Sequence, residues 1–235
     1  MKRFNKVLIK LSGEALTKDP TISFDSGAAS LVADALLQVH NQLQLAVVIG
    51  GGNIIRGRAK QLPIPRPAVD EIGMLATVMN GLVLKEAILQ KEGKAVLFNT
   101  FPCGSIAEPY SRSKALQAFS RGEIVIFSGG TAQPFLSTDT VAAIRAAELE
   151  VDALVKCTTV CAVYDKDPKV YPDATRKKRI SYRQILTDGL AVMDFEAILI
   201  CEKQNIPIMI APTAGKNFLQ KALFESNIGT VVTSE

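Results

Sequence analysis

Two glycine turns, two lysines and one aspartate are the residues whose types and spacing point to chemistry. Gly50-Gly51-Gly52-Asn53 follows an apolar run over 45–49, and Gly129-Gly130 follows a second over 123–127. Residues without side chains at a strand end let backbone N–H groups approach an anion, and a helix starting there adds the positive end of its dipole. Arg56 lies one turn beyond the triple glycine, where its fork of donors can grip a pair of phosphate oxygens. Lys10 stands between Ile9 and Leu11, just ahead of Ser12-Gly13, and Lys156 ends a third apolar run in the same way. As a bland alternative, Lys10 snorkels from an edge strand. Asp139, in Ser137-Thr138-Asp139, either caps the helix that follows or holds the two lysines or a Mg²⁺ in place. Asp70, early in another helical pattern, either caps that helix or meets a sugar hydroxyl. Two lysines beside two glycine turns make a cationic, backbone-lined cleft suited to spreading charge in phosphoryl transfer.

Neither familiar nucleotide loop is present. Gly215-Lys216 is followed by Asn217 and preceded at position 210 by Ile, so no G-x-x-x-x-G-K-[ST] exists. The residue three after Gly52 is Ile55, which excludes G-x-G-x-x-G.

The elements that must position these residues read as an alternation of short β-branched runs with longer helical patterns. Strands are expected over 6–11, 45–49, 95–99, 123–127, 153–156, 206–210 and 230–233. Helices are expected over 26–43, 67–91, 113–120, 138–150, 182–186, 194–204 and 216–226, with Asp25 and Ser26 as caps of the first and Pro67 in the first turn of the second. Continuously apolar strands separated by helices argue for an α/β fold with a mostly parallel sheet covered on both faces. In such sheets ligands sit beyond the carboxyl ends of the strands, where all the residues above fall. The stretch 164–179, with Pro168, Pro172 and six Lys or Arg residues, reads as a long functional loop. One domain spanning 1–235 is expected, because the turns and charged residues are spread along one sheet.

Composition narrows the chemistry further. The 235 residues are 48% hydrophobic and 21% charged with a net charge of +4, which is ordinary globular composition. The single histidine, His40, rules out multi-histidine metal sites within the chain and reads as a surface residue at a helix end. Four cysteines with no C-x-x-C read as reduced thiols. The basic start is broken by Lys10 after Val7-Leu8-Ile9, and no continuous apolar run approaches the roughly 18 residues of a membrane span, so a cytoplasmic protein is expected. The basic run Arg176-Lys177-Lys178-Arg179 lacks interleaved aromatics and reads as a solvated loop, not a nucleic-acid patch.

Lys10-Leu11-Ser12-Gly13-Glu14-Ala15, Val48-Ile49-Gly50-Gly51-Gly52-Asn53 with Arg56-Gly57, Asp70 with Gly73-Met74-Leu75-Ala76-Thr77-Val78-Met79-Asn80-Gly81-Leu82, and Thr138-Asp139 resemble the uridylate kinase branch of the amino-acid kinase family. The resemblance implies a three-layer α/β/α sandwich with the acceptor on the N-terminal side and ATP on the C-terminal side. It implies transfer of the ATP γ-phosphoryl group to UMP, giving UDP for pyrimidine biosynthesis, with Mg²⁺ carried by ATP and not by direct protein ligands. Lys10, Asp139 and Lys156 would form the transfer centre. Lys10, Leu11, Ser12, Gly13, Gly52, Arg56, Thr158, Tyr164 and Asp167 would face ATP. Gly51, Asp70 and the segment Thr131, Ala132, Gln133, Pro134, Phe135, Leu136, Ser137, Thr138 would hold UMP, with Asp70 on the ribose.

The resemblance also implies a cytoplasmic homohexamer under allosteric control, with no membrane or nucleic-acid partner. Two departures stand out: Gln133 replaces a usual asparagine, and Cys161-Ala162 replaces a usual Asp-Gly. A phosphate acceptor is mostly dianionic at pH 7 and needs no general base, which agrees with the scarcity of histidine. Two other readings stay open: a relative that phosphorylates a carboxylate, such as an acetylglutamate kinase, and a non-catalytic nucleotide sensor on the same fold.

Overall fold

The computed structural model describes residues 4–19, 21–55, 63–160, 162–166, 168, 170–190, 192–213, 217–225 and 228–234. Arg56, Gly57, Cys161 and Asp167 lie outside the described residues. β1 (Lys6–Leu11) leads through a 3-10 turn (Gly13–Leu16) to α1 (Ser26–His40), and β2 (Gln44–Ile49) to α2 (Arg66–Leu89). β3 (Ala95–Asn99) is followed by the short β4 (Glu108–Pro109) and α3 (Arg112–Ser120), and β5 (Ile124–Ser128) by α4 (Thr138–Glu148). β6 (Ala153–Thr158) precedes β7 (Val163–Tyr164), β8 (Arg176–Lys177), β9 (Arg179–Ser181), α5 (Tyr182–Thr187) and α6 (Phe195–Lys203). β10 (Ile208–Pro212), α7 (Phe218–Phe224) and β11 (Thr230–Thr233) complete the chain.

Nine strands form one sheet in the order β4-β3-β5-β2-β1-β6-β10-β11-β9, parallel throughout except for the antiparallel pair β10 and β11. β7 and β8 form a separate antiparallel hairpin. The basic stretch expected as a loop therefore overlaps a hairpin and the start of β9, one of the sheet's two edge strands, because strands of two or three residues carry no period that a pattern can register. The central strands are apolar on both faces because both faces are covered. Leu8, Val48, Phe127 and Leu154 meet helices α3 to α6 on one side. Ile9, Val47, Ile126 and Val155 meet α1, α2 and α7 on the other. The result is a three-layer α/β/α sandwich.

Local signals explain the helix ends near the site. Asp25 caps α1 by accepting the Ala28 N–H at 3.0 Å. Ser137 caps α4 by accepting the Asp139 N–H at 3.0 Å, so Asp139 is not the cap. Nor does Asp70 cap α2, which opens at Arg66 with proline at its start. α2 is long and apolar enough, by length and composition alone, to cross a membrane. Its Leu84 and Ile88 are fully buried on the sheet.

Candidate functional site

β1 and β6 are neighbours at the middle of the sheet, where the strand order turns outward in both directions, and such switch points open a crevice at the carboxyl ends. This placement removes the edge-strand explanation for Lys10. Lys10 and Lys156 are register partners across that junction. α4 starts above them, and its Asp139 meets both: Oδ1 lies 2.7 Å from Lys10 Nζ as an ion pair out of hydrogen-bond alignment, and Oδ2 accepts from Lys156 Nζ at 2.6 Å. Lys156 also donates to the Val192 carbonyl at 2.6 Å.

Burial acts to raise the Asp139 carboxyl, but the ammonium groups of Lys10 and Lys156 outweigh it and hold it below the ordinary carboxylate range. Burial also pushes the Lys156 ammonium below the ordinary lysine range; Asp139 offsets part of this and Lys10 adds repulsion. Asp194 adds a further attraction on the Lys156 ammonium, smaller than that of Asp139.

The two glycine turns follow β2 and β5 at the carboxyl ends of the sheet, beside the turn that ends β1. The Gly50 N–H donates to the Leu11 carbonyl at 2.9 Å, tying the turn after β2 to the end of β1. A Cβ placed on Gly50 would stand 3.3 Å from Thr138 Oγ1, and one on Gly52 3.9 Å from Ser12 Oγ. Gly129 and Gly130 both have positive φ, 79° and 60°, which a side chain would strain. A cavity of about 930 Å³ opens from the centre, in the range of ligand sites. Its walls include Lys10, Ser12, Lys156 and Thr158, together with Leu31 of α1 and Phe218 of α7. Tyr164 stands in the β7–β8 hairpin and is not among the lining residues.

The segment 131–138 forms an exposed rim between β5 and α4. Ala132 and Phe135 take positive φ of 60° and 72°, an uncommon state for residues with side chains. Thr131 and Gln133 close a local turn: the Gln133 N–H donates to Thr131 Oγ1 at 3.2 Å, and the Thr131 hydroxyl donates to Gln133 O at 3.1 Å. Asp70 secures the far end, accepting the Phe135 N–H at 2.9 Å on one oxygen and Arg66 Nε at 2.7 Å on the other. Phe135 itself is 66% exposed.

His40 is half-buried, not a free surface residue, and its Nε2 lies 3.0 Å from the Gly122 carbonyl. Gly122 precedes β5, so the contact sits at the amino edge of the sheet, opposite the crevice.

Sequence reasoning missed Asp194 and the Val192 carbonyl. Asp194 accepts from the hydroxyls of Ser137 and Thr140, the latter at 3.2 Å, and so clamps the start of α4 on either side of Asp139. No residue pattern marks a backbone carbonyl as a lysine anchor. Asp194 falls at the start of an expected helix, where nothing in the sequence singles it out, and its side chain makes no cap bond there.

Comparison with known proteins matches the amino acid kinase family over residues 5–212. The uridylate kinase of Chlamydia pneumoniae is 42% identical over 238 aligned positions, covering 100% of this chain and 96% of that protein. The crystal structure of UMP kinase from Bacillus anthracis superposes with a TM-score of 0.95 at 32% identity, covering 100% of this chain and 98% of that one. UMP kinase from Ureaplasma parvum gives a TM-score of 0.93 at 30% identity, covering 99% and 100% of the two chains.

Proposed function

The chain belongs to the amino acid kinase family, and we propose that within it the chain is a UMP kinase, transferring the γ-phosphoryl group of ATP to UMP to give UDP for pyrimidine nucleotide synthesis. The observation that carries this reading is the pairing of Lys10 and Lys156 on one buried aspartate between two glycine turns. The acceptor phosphate is its own nucleophile. The protein's part is to align two mutually repelling anions and to neutralise the charge that spreads over the transferring group. Lys10 and Lys156 supply that charge, and Asp139 keeps both ammonium groups aimed at one point.

ATP is proposed to lie along the cavity with its phosphates over Lys10 to Gly13 and Gly52 and its nucleoside toward Thr158, Tyr164 and Asp167. UMP is proposed to lie on the 131–138 rim with Gly51 and Asp70. Mg²⁺ is proposed to enter on the ATP phosphates. Supporting this, both oxygens of Asp139 face lysines. A cytoplasmic homohexamer under nucleotide control belongs to the same proposal. The outward apolar residues Leu75 and Met79 of α2, 52% and 49% exposed, support a subunit contact, and sedimentation measures the oligomeric state.

A coupled assay of ADP release with UMP, CMP and N-acetylglutamate tests the proposal. UMP alone is expected to accelerate ADP formation strongly. Acceleration by the acyl acid and not by UMP would transfer the reading to a carboxylate kinase, and no UDP at all would leave a nucleotide sensor.

A further inference from the structure

Thr77 and Asn80 neither line the cavity nor reach the lysine centre, yet they are 2% and 0% exposed. They stand three residues apart on α2, and so on one face of it. The Thr77 hydroxyl donates its proton to the Met74 carbonyl at 2.6 Å, which leaves its oxygen free to accept, and it accepts the Gly129 N–H at 2.8 Å. Asn80 Nδ2 donates to the Gly50 carbonyl at 2.6 Å and to Asn53 Oδ1 at 2.7 Å. Asn53 Nδ2 returns a bond to Asn80 Oδ1 at 3.1 Å and reaches the Ser23 carbonyl at 2.6 Å.

Steric fit repeats this pattern. A Cβ on Gly51 would stand 2.8 Å from the Gly73 carbonyl, and one on Gly130 2.9 Å from Met74 Cγ. A Cβ on Gly13 would stand 2.2 Å from Asn53 Oδ1 and 2.7 Å from Asn80 Nδ2. Turns that end three different strands are thus seated on one stretch of one helix.

We infer that Thr77 and Asn80 are positioning residues for phosphoryl transfer. Thr77 fixes the Gly129-Gly130 turn that opens into the acceptor rim. Asn80, through its reciprocal amide pair with Asn53, fixes the turn that carries Gly51 and Gly52. Their spacing on a rigid helix sets the separation of donor and acceptor phosphates. A misplacement of about 1 Å at such a site costs roughly 100-fold in rate. The inference rests on the UMP kinase reading for the names of the two ligands, but not for the separate seating of each turn on α2.

The test separates the two turns. Thr77→Val keeps the shape and removes the acceptor. It is expected to raise KM for UMP about tenfold, the worth of one neutral hydrogen bond, and to lower kcat as the acceptor turn shifts, with KM for ATP little changed, and Thr77→Ser is expected to restore both. Asn80→Asp keeps the shape but cannot donate to the Gly50 carbonyl. It is expected to lower kcat about 100-fold at nearly unchanged KM for UMP.

Melting temperatures measured alongside distinguish a merely structural role, in which stability falls while kcat and both KM values of the folded enzyme hold; that result would overturn the inference. Amide hydrogen exchange provides a readout independent of turnover. Thr77→Val is expected to speed exchange at Gly129 without affecting 50–53, and Asn80→Asp to do the reverse. If the wild-type protein makes no UDP, the functional reading falls, while separate loss of protection in the two turns still supports the inference. Joint loss in both turns, in either variant, overturns it.

Discussion

Lys10 and Lys156 face one another in register on adjacent parallel strands, and both ammonium groups close on the two oxygens of Asp139. Neighbouring strands lie about 4.8 Å apart, so two lysines hung at one register repel unless a third charge intervenes. Asp139→Asn leaves that repulsion uncompensated in a buried place. It is expected to lower kcat about 100-fold or more and to destabilise the fold by about 3–5 kcal/mol, read from turnover and urea unfolding. A variant that retains full stability would show that the ion pairs are not carried as charges in the folded state.

Lys10→Ala is expected to reduce kcat by about 100- to 1,000-fold while calorimetric affinity for UMP changes little, because its charge is needed most where negative charge is being transferred. Loss of kcat in step with UMP affinity would reassign Lys10 to ground-state binding.

Stability and activity are expected to part company at alkaline pH. The Lys156 ammonium in the folded protein titrates below its ordinary value of 10.5, mainly through burial, so between that lowered value and 10.5 the unfolded chain binds more protons. Stability therefore rises with pH through this window while kcat falls as the ammonium is lost. A pH–rate profile paired with unfolding curves checks the opposite slopes, and Lys156→Arg is expected to move the alkaline fall in rate upward. Asp139 works at the acid end. Its depressed value gives stability that is present above the ordinary 3.8 and lost as pH falls through the folded-state value.

Gly13→Ala is expected to be among the most damaging single-methyl changes. The added carbon would stand 2.2 Å from Asn53 Oδ1 and 2.6 Å from the Gly50 carbonyl, and the second neighbour is backbone and cannot swing away. A cost of about 1–3 kcal/mol is expected from forced repacking, seen as a lowered Tm, with weaker ATP binding because two turns shift together. Gly52→Ala, with only Ser12 Oγ at 3.9 Å, is the control and should melt close to wild type.

Thiol chemistry offers an independent check on burial. Cys157 and Cys201 are both pushed up to about 12 by burial, so neither forms appreciable thiolate near neutral pH. Peptide mapping after mild alkylation at pH 8 is expected to find Cys103, which is partly exposed, modified well ahead of both. Rapid labelling at Cys157 would mean that the end of β6 opens far more readily than its packing implies.

Much of this architecture was legible in the residues because long apolar runs report themselves. Strands over 6–11, 95–99 and 230–233 lie where the runs place them. Helix ends moved inward by one to three residues where apolar periodicity continued past the last turn, as at α1, which stops at His40 although Leu43 is still buried. β4 and β7 to β9 were not legible, since two or three residues with charged neighbours owe their pairing to the sheet edge and the hairpin and not to their own pattern. Lys10 and Lys156 were found because a charge ending an apolar strand is costly and needs a reason, and Asp139 because an acidic residue at a helix start after a glycine turn can answer them. Asp194 was not, because its partners Ser137 and Thr140 lie more than fifty positions away and only the fold brings them together.

The strand register of the two lysines also bears on motion. β1 is paired on both edges, with β2 over 6–11 and with β6 over 7–10, and β6 is itself paired with β10. Amides there open only when the sheet itself comes apart, with free energies near that of global unfolding, whereas the rim over 131–138 is exposed and can breathe at far lower cost. On the proposed reading, substrates arrive and leave through the yielding part of the molecule while the charges that act on them stay fixed to its least yielding part, so slow steps of turnover should track the rim's opening rate and leave exchange at Lys10 and Lys156 untouched.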